Sequence, residues 1–146
     1  MKIRPARVGD VPAIYELIRT FADRKLMIRR SLGELYESIR EFIVAVDDEN
    51  QIVGCAALHV FWEDLAELKC LAVSEEAQGR GVGRALLEAL LAEAHRRGVR
   101  KTLLEVAVDN APAQHLYATY DFEPIGIRRG YYQLSNTDAL VMMRSA

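Results

Sequence analysis

The chain has 146 residues, 51% of them hydrophobic and 27% charged, with a formal net charge of −2. That is the size and mix of one globular domain with a sizeable core, and the near-neutral balance argues against general nucleic-acid affinity. No apolar run approaches the ~20 residues of a membrane helix, and Met1 leads into "KIRPARVGD" with no apolar leader. Cys55 and Cys70 sit in apolar runs, outside any disulfide or metal spacing. These features predict a single cytoplasmic domain over residues 1–146, with no metal, no membrane and no nucleic-acid partner.

In chain order, "KIRPAR" reads as a first strand. Asp10 then caps a helix with Pro12 in its first turn and Ile14, Leu17, Ile18 and Phe21 along one face. Ser31 and Glu34 form a capping box for a second helix, whose stripe is Leu32, Leu35, Tyr36 and Ile39. "FIVAV" is a buried strand, "DDEN" a tight turn, and "QIVGCAALHVF" and "AELKCLAV" are the next two strands. A helix from Gly81 to Arg97 ends at the cap glycine Gly98, and "TLLEVAV" is a further strand. Asn110 caps a helix carrying Leu116 and Tyr117, and two antiparallel strands, "FEPIGIRRGYY" and "DALVMMR", close the chain. The order β-α-α-β-β-β-α-β-α-β-β predicts a mixed α/β fold, one sheet with helices on both faces and at least one parallel pairing.

The stretch "QGRGVGRALLEALL" puts Gly79, Gly81 and Gly83 where a strand meets a strong helix. A helix N-terminus offers unpaired N–H groups and partial positive charge, and glycines let a diphosphate approach the backbone. Arg80 and Arg84 add charge. A P-loop would need Gly-Lys-Ser/Thr, but Arg84 and Ala85 follow Gly83. The dinucleotide fingerprint G-x-G-x-x-G fails at Arg84 as well. What remains, Gln78-x-x-Gly81-x-Gly83, resembles the acetyl-CoA signature of the GNAT N-acetyltransferase superfamily. "IRPARVGDVPAIYELI" and "LEVAVDNAPAQHLYATYDF" extend that resemblance over nearly the whole chain.

The resemblance implies a sheet splayed between its fourth and fifth strands, with the acetyl-CoA arm between them. It implies cofactor contacts from Leu71, Ala72 and Val73 and from Gln78, Gly79, Arg80, Gly81, Val82, Gly83 and Arg84, together with Asn110 and Tyr117. Transfer to a primary amine through a tetrahedral intermediate needs a base for the amine, a donor to the oxyanion and an acid for the thiolate. "LEVAVDNAPAQHLY" is most similar to the ribosomal-protein alanine N-acetyltransferases, which makes Glu105 the candidate base, directly or through water, and Tyr117 the candidate acid. The oxyanion donor would be the backbone N–H of Leu71 or Val73. In an apolar strand a carboxylate either finds a partner or becomes harder to ionise. His59, in "AALHVFW", is the alternative base.

The acceptor reads two ways. "RKLMIRRSLGELYESIREFIVAV" and the strands to Val73 resemble the acetyltransferase domain of N-acetylglutamate synthases, which implies that Arg29 or Arg30 holds the carboxylate of a free amino acid such as glutamate. "IGIRRGYYQLSNTDALVMMR" resembles the last hairpin of the protein N-terminal acetyltransferases, with Tyr131 and Tyr132 lining a peptide cleft. The expectation leans slightly to the amino acid, with a protein N-terminus as alternative and a non-enzymatic acyl-CoA sensor as a third reading. Asp121 stands where these families usually have glycine, and a left-handed residue is expected there. A homodimer is left open.

Overall fold

A computed structural model describes the backbone of residues 1–132 and 137–145, and the side chains of these except 130–132 and 137. The strands are β1 (Lys2–Pro5), β2 (Phe42–Val46), β3 (Ile52–Trp62), β4 (Leu65–Val73), β5 (Lys101–Ala107), β6 (Glu123–Tyr132) and β7 (Thr137–Ser145). The helices are α1 (Val11–Asp23), α2 (Leu32–Glu37), α3 (Val82–Arg96) and α4 (Ala111–Thr119). The chain order matches the pattern read from the sequence. The strands form one mixed sheet in the order β1-β2-β3-β4-β5-β7-β6, antiparallel except for β4 with β5. No helix among the described residues is long and apolar enough to cross a membrane.

Each face of the sheet carries its own core. On one face Val11, Ile14 and Ile18 of α1 and Leu35 of α2 pack on Phe42, Val44, Cys55 and Cys70. On the other, Val82, Leu86, Leu87, Leu90, Leu91 and Ala94 of α3 pack on Ala56, Leu58, Ala66 and Leu68, with Leu116 and Tyr117 of α4 beside them. Those α3 positions recur every three to four residues, the spacing that gives a helix one buried stripe. Gly54 of β3 lies beneath this helix: a Cβ there would stand 2.9 Å from Leu86 Cδ1 and 3.0 Å from Val82 Cγ1.

Two local details differ from the sequence reading. Asp10 occupies the cap position of α1 but makes no side-chain bond into it. Its carboxylate instead accepts from the Arg7 N–H at 2.7 Å and from both terminal nitrogens of Arg4, tying the turn before α1 to β1. The glycine-led helix starts at Val82, because Gly81 is itself the left-handed cap (φ 80°). Asp121 takes the left-handed conformation expected of it, with φ 69°.

The site is shaped by one irregularity in β4. Ala57 pairs with Lys69 and Cys55 with Ala72, so β4 holds one residue more than β3 across this step, a β-bulge. Cys70 is left-handed there, with φ 58°. The bulge shifts the alternation of faces: Ala66 and Leu68 face α3, Cys70 and Ala72 face α1, and Leu71 and Val73 face α3 again. Lys69 and Cys70, neighbours in sequence, therefore share the α1–α2 face. A bulge also sharpens twist, and β4 leaves β5 at this point. Their ladder is three pairs long, Leu65 with Lys101, Ala66 with Thr102 and Glu67 with Leu103. β5 stays with β7 from Lys101 to Ala107. The result is the splay expected between the fourth and fifth strands, a slot through the sheet.

Candidate active site

A cleft of about 680 Å³ fills the splay, well within the range of small-ligand sites. On the α3 face its walls are Leu71 and Val73 of β4, the turn into α3, and Asn110, Leu116 and Tyr117 of α4. The α1–α2 face contributes Glu67 and Lys69 of β4, Glu105 of β5, and Arg30 from the segment joining α1 to α2.

The turn is built for close approach. Gln78 Nε2 donates to the Val73 carbonyl at 3.1 Å, clasping the turn to the end of β4. Gly79 and Gly81 have φ near +80°, a region costly for residues with a Cβ. Gly83 is different, since its φ is ordinary and a Cβ would meet only Val73 Cγ2 at 3.7 Å and Leu116 Cδ2 at 4.0 Å. Nothing in the chain itself demands glycine at Gly83, but an extra carbon would stand at the cleft wall. With the first N–H groups of a fifteen-residue helix alongside, the turn fits a diphosphate. Arg84 lies over the Tyr120 ring at 5.5 Å and donates to its hydroxyl at 3.3 Å. Arg80 is absent from the cleft wall, and Ala72 is buried toward α1.

Glu105 finds a partner, as one branch of the sequence expectation has it. Arg128 Nη1 of β6 donates to both its oxygens, at 3.0 and 3.3 Å. Tyr117 stands edge-on to Phe122 with centroids 5.9 Å apart, and burial pushes its phenol up to about 12. It therefore stays protonated at neutral pH and remains a proton donor. Asn110 caps α4 by accepting from the Ala113 N–H and also lines the cleft. Because Leu104 and Val106 face α3, Glu105 points to the opposite face. The base and acid candidates thus approach the slot from opposite sides of the sheet.

The two arginines separate. Arg29 is paired with Asp23 at the end of α1 and does not line the cleft. Arg30 does, and its buried Nε has no hydrogen-bond partner. His59 is bound through Nδ1 to Glu41 and stacks on Phe61, outside the main cleft. The side chains of Tyr131 and Tyr132 lie outside the described residues.

Glu67, Lys69 and Arg128 were not singled out in the sequence. Burial, and after it the charge of Glu105, raises the Glu67 carboxyl above its ordinary range, with Lys69, Arg30 and His59 acting the other way. The available signal was a pair of charged residues, Glu67 and Lys69, two positions apart in "AELKCLAV", which puts both on one face of an otherwise apolar strand. Arg128 of β6 reaches Glu105 of β5 across β7, which lies between them, a neighbourhood that chain order alone does not reveal.

Comparison with known proteins agrees with this geometry. The model of the Acetyltransferase (GNAT) family matches residues 11–122. An amino-acid acetyltransferase of Mycobacterium tuberculosis is 43% identical over 91 residues, 61% of this chain and 52% of its own length. The match thus spans about half the length of that curated relative. A ribosomal-protein-alanine N-acetyltransferase from Brucella melitensis superposes with a TM-score of 0.88 at 26% identity, over 100% of both chains. The N-acetylglutamate synthase of Neisseria gonorrhoeae, solved with coenzyme A and N-acetyl-glutamate, superposes with a TM-score of 0.84 at 28% identity. That superposition covers 99% of this chain and 34% of the other. With most of its length matched by the family model and its cleft and glycine turn in the corresponding fold, the chain belongs to the acetyltransferase (GNAT) family.

Proposed function

We propose that the protein is an acetyl-CoA-dependent N-acetyltransferase acting on a free amino acid such as glutamate, in the cytoplasm. The observation that carries the reading is the slot between β4 and β5. Its α3 side ends on the diphosphate turn, and its α1–α2 side ends on Arg30, a cation with an unpartnered buried nitrogen. The amino-acid acetyltransferase relative supports a small acceptor, and both cysteines being free fits a reducing compartment.

Acetyl-CoA supplies the thioester carbonyl that the amine attacks. The turn from Gln78 to Arg84 would hold its diphosphate and Leu71 and Val73 its arm, leaving their backbone N–H groups to donate to the carbonyl oxygen as it gains charge. Glu105 takes the amine proton, directly or through water, and Tyr117 returns a proton to the departing sulfur. Arg30 binds the acceptor carboxylate. The full-length likeness to the Brucella melitensis enzyme keeps a protein N-terminus as the second reading.

Thiol release should be followed with glutamate, glutamine, other amino acids, polyamines and an alanine-led ribosomal peptide as acceptors. Turnover on at least one free amino acid is expected, with the peptide slower by an order of magnitude or more. Turnover on the peptide alone would replace the first reading by the second. Tight acetyl-CoA binding with no turnover on any amine would leave the sensor.

A further inference from the structure

Glu105 is held from two strands away. β7 lies between β5 and β6, and the register sets Glu105 beside Val141 and Val141 beside Gly126. Gly126 brings no side chain to this row. Two residues further along β6 stands Arg128, paired with Ala139, and alternation puts it on the same face as Glu105. It reaches diagonally back over β7, and its Nη1 donates to both Glu105 oxygens, at 3.0 and 3.3 Å. Among the described residues no other side chain hydrogen-bonds this carboxylate.

The two partners differ in exposure. The Glu105 side chain is 17% exposed and lines the cleft, whereas that of Arg128 is 60% exposed and lies outside the cleft wall. An ion pair this open adds little to stability, about 0–1 kcal/mol. Its effect is on geometry. The glutamate side chain is flexible, and the carboxyl of Glu67 on the same face feels the Glu105 charge as a repulsion. A nitrogen set between the two oxygens fixes the reach and the plane of the carboxylate against both. It uses two of the roughly four lone-pair sites and leaves the others open to a proton.

We propose that Arg128 is a positioning residue, which holds the Glu105 carboxylate at the slot in the orientation that takes the amine proton. This rests on Glu105 being the base, as in the reading above, and is independent of which amine is the acceptor. A misplacement of about 1 Å can cost about 100-fold in rate, so a contact that is nearly neutral for folding still shows in kcat. Because a single nitrogen makes both bonds, the point charge of a lysine ammonium can stand in for it.

The test is steady-state kinetics on the full chain with acetyl-CoA and whichever amine of the acceptor panel it turns over fastest. Arg128→Gln should lower kcat roughly 10-fold, while KM for both substrates and the urea midpoint stay where they are. Arg128→Lys should recover most of that loss. In a Glu105→Gln background the same Arg128→Gln change should cost nothing further, because the group it orients is gone. Wild-type kcat in Arg128→Gln overturns the inference. So does a loss that multiplies with that of Glu105→Gln, since Arg128 would then act apart from the base. Wild-type kcat in Glu105→Gln overturns the base assignment, and the positioning role with it.

Discussion

Glu67 and Glu105 line the same face of the slot under different constraints. Glu105 is gripped by Arg128, whereas burial and the Glu105 charge raise the Glu67 carboxyl. For stability the sign follows from the direction of the shift. A carboxyl with a raised folded pKa favours folding below its ordinary value of 4.5 and loses that contribution as pH climbs through the folded value. Glu67→Gln should therefore raise the urea midpoint at pH 7, with the gain shrinking to nothing below about pH 4.5. A lower midpoint at pH 7 would show Glu67 to be a satisfied partner instead. Glu105→Gln and Tyr117→Phe should each cut kcat by about 10²-fold with acetyl-CoA affinity unchanged, measured by steady-state kinetics and calorimetry. Glu105 and Tyr117 were singled out through the family resemblance, and both line the cleft. Glu67 and Lys69 were not, because only the splay and the bulge turn their face into a cavity. Nor could the sequence choose between Arg29 and Arg30, neighbours in an aperiodic segment where Asp23 decides the outcome.

The order of elements was readable from periodicity and caps, since each helix and strand carries its own hydrophobic spacing. What escaped was contact between elements, and two glycines show the difference. Gly54 looks like an ordinary strand glycine, yet it sets how closely α3 lies on β3. Gly54→Ala would place its Cβ against Leu86, Val82 and the Ala72 carbonyl at 2.9, 3.0 and 3.3 Å. Overpacking of this kind costs about 1–3 kcal/mol, which chemical denaturation would register. Gly83 meets no such wall in its own chain. Gly83→Ala should leave stability unchanged or raise it by up to about 1 kcal/mol, as alanine does within a helix, while acetyl-CoA affinity falls at least tenfold. Calorimetric titration beside a denaturation curve separates the two. If Gly83→Ala binds acetyl-CoA normally, the turn is only a tight connection and the diphosphate site must be sought elsewhere.

At the scale of the molecule the splay divides the sheet into β1-β2-β3-β4 and β5-β7-β6, joined along their strands by three residue pairs. The sequence implied this splay only through the family resemblance, because no local pattern marks where a parallel ladder stops. The division has an energetic consequence. Above the last pair, β4 and β5 offer facing walls that no strand bridges, and a ligand reaching from the glycine turn along Leu71 and Val73 would contact both halves. Such a ligand binds the folded state and not the unfolded chain, so it stabilises by RT ln(1 + [L]/Kd), about 2.7 kcal/mol at a hundredfold excess over Kd. Coenzyme A and acetyl-CoA should therefore raise Tm, whereas ATP and NAD, which lack the arm, should not. Hydrogen exchange can locate the effect: coenzyme A should protect both residues 68–73 and 104–107, while 3′,5′-ADP, which keeps phosphates but lacks the arm, should leave both stretches at their unliganded rates. Protection confined to the helix that follows the turn, with coenzyme A bound, would mean that the arm does not enter the slot. In that case the splay would be an architectural consequence of the β4 bulge and not the channel along which the acetyl group is delivered.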